Sequence, residues 1–358
     1  MLSNLWDAKT ARVLSTILMF AVVLAFLHGA RDTLTLFLFA ILFAYFIEPV
    51  VSFFQRKLRG RIRGIVASYL LFTGVLTGLG FLLGPRIGAE AKDLMSSGPA
   101  LLDRIATGQF ILNMGQSQGW THERAMQIQQ VFMGHREAIL AYGENLAAQM
   151  EEPLMHVWWI VLIPILSVFF LKDARAMAFR MVQLGGDAEK RSVVRGILSD
   201  VNVMLGSYIR AQLILALLTG CVLTLVLGLM HAPFAFILGP FAAVCEFVPV
   251  VGPAVASAAI FGIALLSGYP HVLWIFLFLG TWRVIQDYVN APRIMGKSLE
   301  ISPLAEIFGV LAGGEIGGVI GALVSVPVLA VLRILWLRLS VMKDVETPVA
   351  AELQESSH

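Results

Sequence analysis

Hydrophobic and polar positions fall along this chain in long blocks rather than on alternating faces. Apolar runs occupy Val13–Leu27, Leu34–Ile47, Ile65–Leu83, Val157–Leu171 and Leu213–Met230, and more follow downstream. Several approach the ~20 residues that a helix needs to cross a bilayer. Spans are expected at about residues 13–27, 33–54, 65–84, 153–171, 211–230 and 272–289. The fold class that follows is all-α, a polytopic membrane protein. Composition agrees: 58% of the 358 residues are hydrophobic and 14% charged, against roughly 25% charged in soluble domains.

Charge then sets topology. Arg56, Lys57, Arg59, Arg61 and Arg63 crowd one short segment without an acid, which marks it as cytoplasmic. Lys9 and Arg12 place the N-terminus on the same side. Residues 86–152 carry more acids than bases and suit the outside, with Ile128, Phe132, His135, Ile139, Tyr142 and Leu146 at helical spacing on one face. Residues 172–210 are mostly basic, hence cytoplasmic, and are expected to form short helices. The division expected is a three-span bundle (1–85), an extracytoplasmic amphipathic helical region (86–152), a fourth span with a cytoplasmic helical loop (153–210), a transport core with two helical hairpins (211–340) and a C-terminal tail (341–358). Net charge is +2, which offers nucleic acid no footprint. Cys221 and Cys245 sit in apolar spans with neither disulfide nor metal spacing.

The stretch Gln286–Pro327 organises the second half. It has too many breakers for an ordinary helix pair and is too apolar for a surface loop. Pro233–Gly239 (PFAFILG) and Pro303–Gly309 (PLAEIFG) share P-x-A-x-I-x-G. Each follows an apolar span, and each precedes a break, Val248–Pro253 (VPVVGP) in one and Gly313–Gly318 (GGEIGG) in the other. Residues 233–248 would reach about 24 Å as helix, short of a ~30 Å hydrocarbon core. Both segments therefore read as re-entrant helical hairpins. With Arg210 inside, the first enters from outside; Arg293, Lys297, Arg333, Arg338 and Lys343 make the second enter from inside. A span plus a re-entrant hairpin, repeated in opposite orientation, is an inverted repeat of the kind that places a transport site near mid-membrane.

The candidate site residues follow from the same breaks. Glu246 lies one turn before the first tip at Pro249, Gly252 and Pro253, where it could carry a proton, a cation or a substrate contact, or simply cap freed amides. Glu315, between Gly313, Gly314 and Gly317, holds the comparable place in the second hairpin, which Pro327 closes. Glu306 could serve there or pair with Arg293. Arg283 and Asp287 are four apart and able to pair; with Gln286 and Asn290, ahead of Pro292, they make a polar stripe through an apolar span. Glu48 is expected to bridge to a basic residue such as Arg56. Ala291–Ser298 fits a loose phosphate-loop pattern, but Pro292 removes an amide and no strand precedes it. Neither H-E-x-x-H nor G-x-S-x-G occurs, so no enzyme, cofactor or metal is expected.

The block FILGPFAAVCEFVPVVGP, then QDYVNAPRIMGKSLEISPL and GGEIGGVIGALVSVP, resembles the autoinducer-2 exporter (AI-2E) family of bacterial membrane proteins. AILFAYFIEPVV around Tyr45 and SYIRAQ at Ser207–Gln212 are similar to it too. Ser302, where many members carry histidine, and Glu300 depart from that pattern. The resemblance implies small-molecule efflux or ion-coupled transport from a homo-oligomer, five copies being the number favoured, in the bacterial cytoplasmic membrane. Some members resemble sodium(lithium)/proton antiporters. Export of small hydrophilic molecules by alternating access, such antiport, and a non-transporting membrane scaffold are the three functions considered. Substrate and bilayer are the partners expected in every transporting case.

The charge bias predicts that residue 152 is outside and that residues 172 and 293 are inside. Single cysteines at these positions, treated on intact cells with an impermeant thiol reagent, are expected to label at 152 and to be protected at 172 and 293. Strong labelling at 293 would overturn the orientation of the second hairpin.

Overall fold

The computed structural model describes residues 8–108, 121–137, 141, 158–295 and 302–355. Among these every regular element is helical: α1 (Ala8–Gly29), α2 (Arg31–Leu58), α3 (Arg61–Thr107), α4 (His122–Gly134), α5 (Trp159–Gln183), α6 (Ala188–Leu229), α7 (Ala235–Cys245), α8 (Val251–Leu266), α9 (Val272–Ile285), α10 (Ala291–Met295) and α11 (Pro303–Glu355). Six of the described helices are long and apolar enough to cross a membrane. The expected fourth span is not one of the six. α5 is apolar only from Trp159 to Leu171, about 20 Å at 1.5 Å per residue, before Lys172, Asp173 and Arg175.

α2, α3 and α5 share a core of Ala44, Ile47, Val51, Ile65 and Leu171, with Phe43, Phe46, Tyr69 and Phe72 packed around it. Arg61 ties the three together at one end. Its Nε donates to the Leu171 carbonyl at 2.7 Å, and its Nη2 lies 3.5 Å from Glu48. Glu48 therefore bridges to a basic residue of this loop, Arg61 rather than Arg56. α1 buries almost nothing; Arg12–Gly29 presents apolar side chains on all sides, as a helix surrounded by lipid does.

Two helices run further than the hydrophobic blocks implied. α3 continues through Pro85 and Pro99 for 47 residues, so the helix of the third span carries on to Thr107. Proline tilts a helix without ending it when the lost bond is tolerated. α6 runs 42 residues from Ala188, in place of the short helices expected over 172–210. No proline lies between Ala188 and Leu229, so nothing in that charged stretch stops the helix. Gln129 and Arg136 of the α4 region contact Thr107 and Asp103 of α3. The rest of the expected amphipathic face lies outside the described residues: Ile139, Tyr142 and Leu146, and the side chains of Ile128 and Phe132.

The second half centres on a core of Leu223 and Leu227 (α6), Leu238 and Ala242 (α7), Ile260 and Ala264 (α8), and Ile275 and Leu279 (α9). Small residues permit the close packing. A Cβ on Gly239 would strike the Thr224 side chain, and one on Gly220 would meet Ala243 Cβ at 2.8 Å. Such contacts carry helix association where solvent offers no hydrophobic drive.

Two helical hairpins result. α7 and α8 are joined by a turn in which Val251 N–H donates to Pro249 O at 2.6 Å, with Val250 at φ 64°, ψ −57°. This is a γ-turn of the rare, strained hand, centred on a β-branched residue. α11 breaks at Gly317 and Gly318 (φ 59°, ψ −145°). Its arms then lie antiparallel, because a Cβ on Gly313 would come 2.5 Å from Gly321 O and one on Gly309 would strike Leu329. Gly318 needs a conformation that disfavours any side chain.

The tightest approach in the first hairpin gives a stability test. A Cβ on Gly252 would overlap the carbonyl oxygen of Cys245, whereas one on Gly262 of the same helix meets nothing within 4 Å. Gly252→Ala is expected to destabilise the detergent-purified protein by about 1–3 kcal/mol, as overpacking does. Gly262→Ala should match or slightly exceed wild type in a thermal melt. Equal melting of the two variants would show that the hairpin does not need this contact.

Candidate functional site

Glu246 follows the last residue of α7, where the helix has stopped supplying N–H donors and the chain turns into the strained tip. It is 7% exposed. Its backbone carbonyl accepts from Gln212 Nε2 of α6. Its carboxylate faces α9: Arg283 Nη1 lies 3.3 Å from Oε1. Arg283 also grips Asp287 one turn on, with Nε donating to Oδ2 at 2.7 Å and Nη2 to Oδ1. One guanidinium thus holds two carboxylates in a fork geometry that lysine could not reproduce.

Behind this triad lies a buried amide chain. Gln286, 2% exposed, donates to Thr219 Oγ1 at 3.0 Å and to the Leu215 carbonyl at 3.2 Å, and accepts from Asn290 Nδ2 at 2.9 Å. Residues 286–290 form a π turn between α9 and α10. Single π turns inside helices are frequent at functional sites, since the extra residue re-aims the side chains that follow. Polar groups from α6, α7, α9 and the π turn therefore converge here, with Glu246, Gln212, Thr219 and Gln286 buried, Arg283 and Asn290 half-buried and Asp287 exposed at the edge; the buried ones find partners, as burial requires.

Five of the expected site residues are brought together: Glu246, Arg283, Gln286, Asp287 and Asn290. Pro249, Gly252 and Pro253 form the adjoining turn, with Gly252 and Pro253 buried. Pro292 sits in the first turn of α10, exposed. The second hairpin stands apart from this cluster. Glu315 is exposed beside the Gly317–Gly318 turn, and no hydrogen bond or ion pair among the described residues joins it to Glu246. Gly313 and Gly314 line the close approach of the two arms, and Pro327 is buried. Glu306 is half-buried, with no ion pair to Arg293 among the described residues. Gly296, Lys297, Ser298 and Glu300, which bear on the phosphate-loop pattern and on the family departure, lie outside the described residues.

Two members of the cluster, Gln212 and Thr219, went unselected from sequence. Lone polar residues in an apolar helix carry little signal, although spacing offered some: seven positions apart, they lie two turns along one face of α6.

Comparison with known proteins follows this geometry. A family profile described as AI-2E family transporter matches residues 14–340. "Putative transport protein YueF" of Bacillus subtilis is 26% identical over 305 residues, 82% of this chain and 81% of that protein. "Putative transport protein YhhT" of Escherichia coli is 25% identical over 338 residues, covering 92% and 91%. "AI-2 transport protein TqsA" of Escherichia coli is 21% identical over 322 residues, covering 88% and 89%. The matched span takes in every helix of the two hairpins and the whole polar cluster, and the chain belongs to the AI-2E family of transporters.

Proposed function

We propose that this protein is a secondary transporter of the bacterial cytoplasmic membrane that exports small hydrophilic molecules, a signalling molecule among them, by alternating access. The observation that carries the reading is the buried Glu246 carboxylate, paired with Arg283 at the tip of a helical hairpin. An ionisable group at membrane depth is costly, and it marks a pathway more often than a scaffold. The hairpin pair supports it: both P-x-A-x-I-x-G segments open helical hairpins, and charge bias gives them opposite entry sides. The relative named for AI-2 transport supports a small-molecule substrate, and the carboxylate and guanidinium of the cluster suit a polar one. In this reading Arg283, Asp287, Gln286 and Asn290 form the polar wall. Pro249, Gly252, Pro253 and Pro292 shape it, while Gly313, Gly314, Glu315, Gly317 and Pro327 shape the opposing hairpin. Residues 86–152 serve subunit contacts in a homo-oligomer, and both termini are cytoplasmic.

One feature favours a second reading, sodium(lithium)/proton antiport. Glu246 and Asp287 share a single guanidinium, so the triad carries one uncompensated negative charge when both acids are ionised. A proton or an alkali cation could balance it.

Glu246→Gln separates coupling from structure, because it keeps shape and hydrogen bonding while removing titration. In proteoliposomes the expected result is loss of pH-driven flux at unchanged protein level and oligomeric mass. Equal pH-driven flux in wild type and Glu246→Gln would leave Glu246 a structural cap. Sodium-dependent proton movement without organic substrate would favour antiport.

A further inference from the structure

The first hairpin is held at its open end by residues far away in the chain. Its first helix, α7, begins at Ala235 after Phe234, which has positive φ and gives no side-chain cap. The leading N–H groups are met instead by Glu90 of α3, whose Oε2 accepts from Phe236 N at 2.9 Å and Ile237 N at 3.2 Å. Arg86, one turn earlier, places its guanidinium 5.1 Å from the centre of the Phe236 ring. The second helix, α8, ends at Leu266, and its terminal carbonyl accepts from Arg104 Nη1 of the same α3 at 2.9 Å. An acid thus sits at the positive end of one hairpin helix and a base at the negative end of the other, the pairing that helix dipoles favour.

We propose that residues 86–107 of α3 form a clamp on the base of the first hairpin, with Glu90 and Arg104 as positioning residues that set how far its tip, and hence Glu246, is exposed. The inference rests on the transport reading for its purpose, not for its test. The tip itself argues that the base is held. A β-branched residue at φ 64° persists only where its surroundings over-determine it. Within the hairpin the arms meet tightly at Cys245 and Gly252, so a base fixed by the clamp transmits its spacing to that turn. Pro85, at the root of the arm, is where α3 can bend and carry the hairpin with it.

The native cysteines report the outcome. Cys245 is half-buried beside Glu246, and Cys221 is exposed on α6. Wild type, Glu90→Gln, Glu90→Ala and Arg104→Ala in liposomes are pulsed with N-ethylmaleimide, and each cysteine is quantified by peptide mass spectrometry. Lys92→Ala, an exposed change on the same arm, is the control. Cys245 labelling is expected to rise roughly fivefold in Glu90→Ala and in Arg104→Ala, the opening expected from loss of one helix cap. Glu90→Gln should fall between, since it keeps one acceptor oxygen and loses the charge. Cys221 should not change. An unchanged Cys245 rate in either alanine variant overturns the two-ended clamp, as does a parallel rise at Cys221, which signals general loosening. If Glu90→Ala does not fold, Glu90→Gln and Arg104→Ala decide by the same criterion. Labelling reads hairpin position and not flux, so failure here leaves the transport reading standing, and failure of that reading leaves this result standing.

Discussion

A helix that starts or stops away from water leaves up to four N–H or four C=O groups without partners, and in hydrocarbon each costs several kcal/mol. The second half of this protein is arranged around that constraint. Its first hairpin has two free ends at the base and two at the tip. At the base, Glu90 supplies acceptors to Phe236 and Ile237, and Arg104 supplies a donor to Leu266. Near the tip, Gln212 donates to the Glu246 carbonyl, while Val251 and Gly252 donate to Pro249 and Val248. Satisfying the ends of a short helix pair thus recruits α3 at one side and α6 at the other.

The same logic applies to the small polar cluster, buried at Glu246 and Gln286 and open at Asp287. Among the described residues Arg283 is the only positive charge in it, and it answers both Glu246 and Asp287. Gln286 is nearly inaccessible, yet its amide donates twice and accepts once. At its buried end, a network satisfied to this degree fixes one arrangement, because removing Gln286 or Thr219 strands its neighbours in a low dielectric. Alternating access would have to exchange these bonds for bonds to substrate or water. In the transport reading we propose, the hydrogen-bonding capacity of the cluster would also be its selectivity: a solute that cannot replace the Arg283 contacts would have no route to displace them.

Much of this was legible before any coordinates. Long apolar runs predicted five of the six candidate spans, the i,i+4 spacing of Arg283 and Asp287 predicted their pairing, and the GGEIGG break marked the turn at Gly317–Gly318. What stayed hidden is non-local or against propensity. Glu90 lies 146 residues from Phe236, and no periodicity connects them. Val250 at positive φ contradicts every local preference of a β-branched residue. Charged residues between Ala188 and Arg210 read as loop because they interrupt hydropathy, while the absence of proline let the helix run on. The third span is expected to end near residue 84, yet α3 passes through Pro85 and Pro99. Hydropathy locates the lipid-facing surface well; it says little about where a helix leaving the membrane goes next.

Two backbone irregularities flank the cluster: the γ-turn at Val250, four residues beyond Glu246, and the π turn at Gln286–Asn290, which carries Asp287. Each is unfavourable where it stands. A γ-turn of this hand is strained, and a π turn gives up regular i→i−4 bonding. Both stand beside the Glu246–Arg283 ion pair, whose carboxylate is buried. A purely structural clamp between α7 and α9 would be served as well by straight helices and an apolar contact, which at such a site is often as stable as a buried ion pair or more so. The cost of two irregular turns is better matched to a site whose charged groups must face one another in one state and part in another, with strain already stored where the backbone has to move.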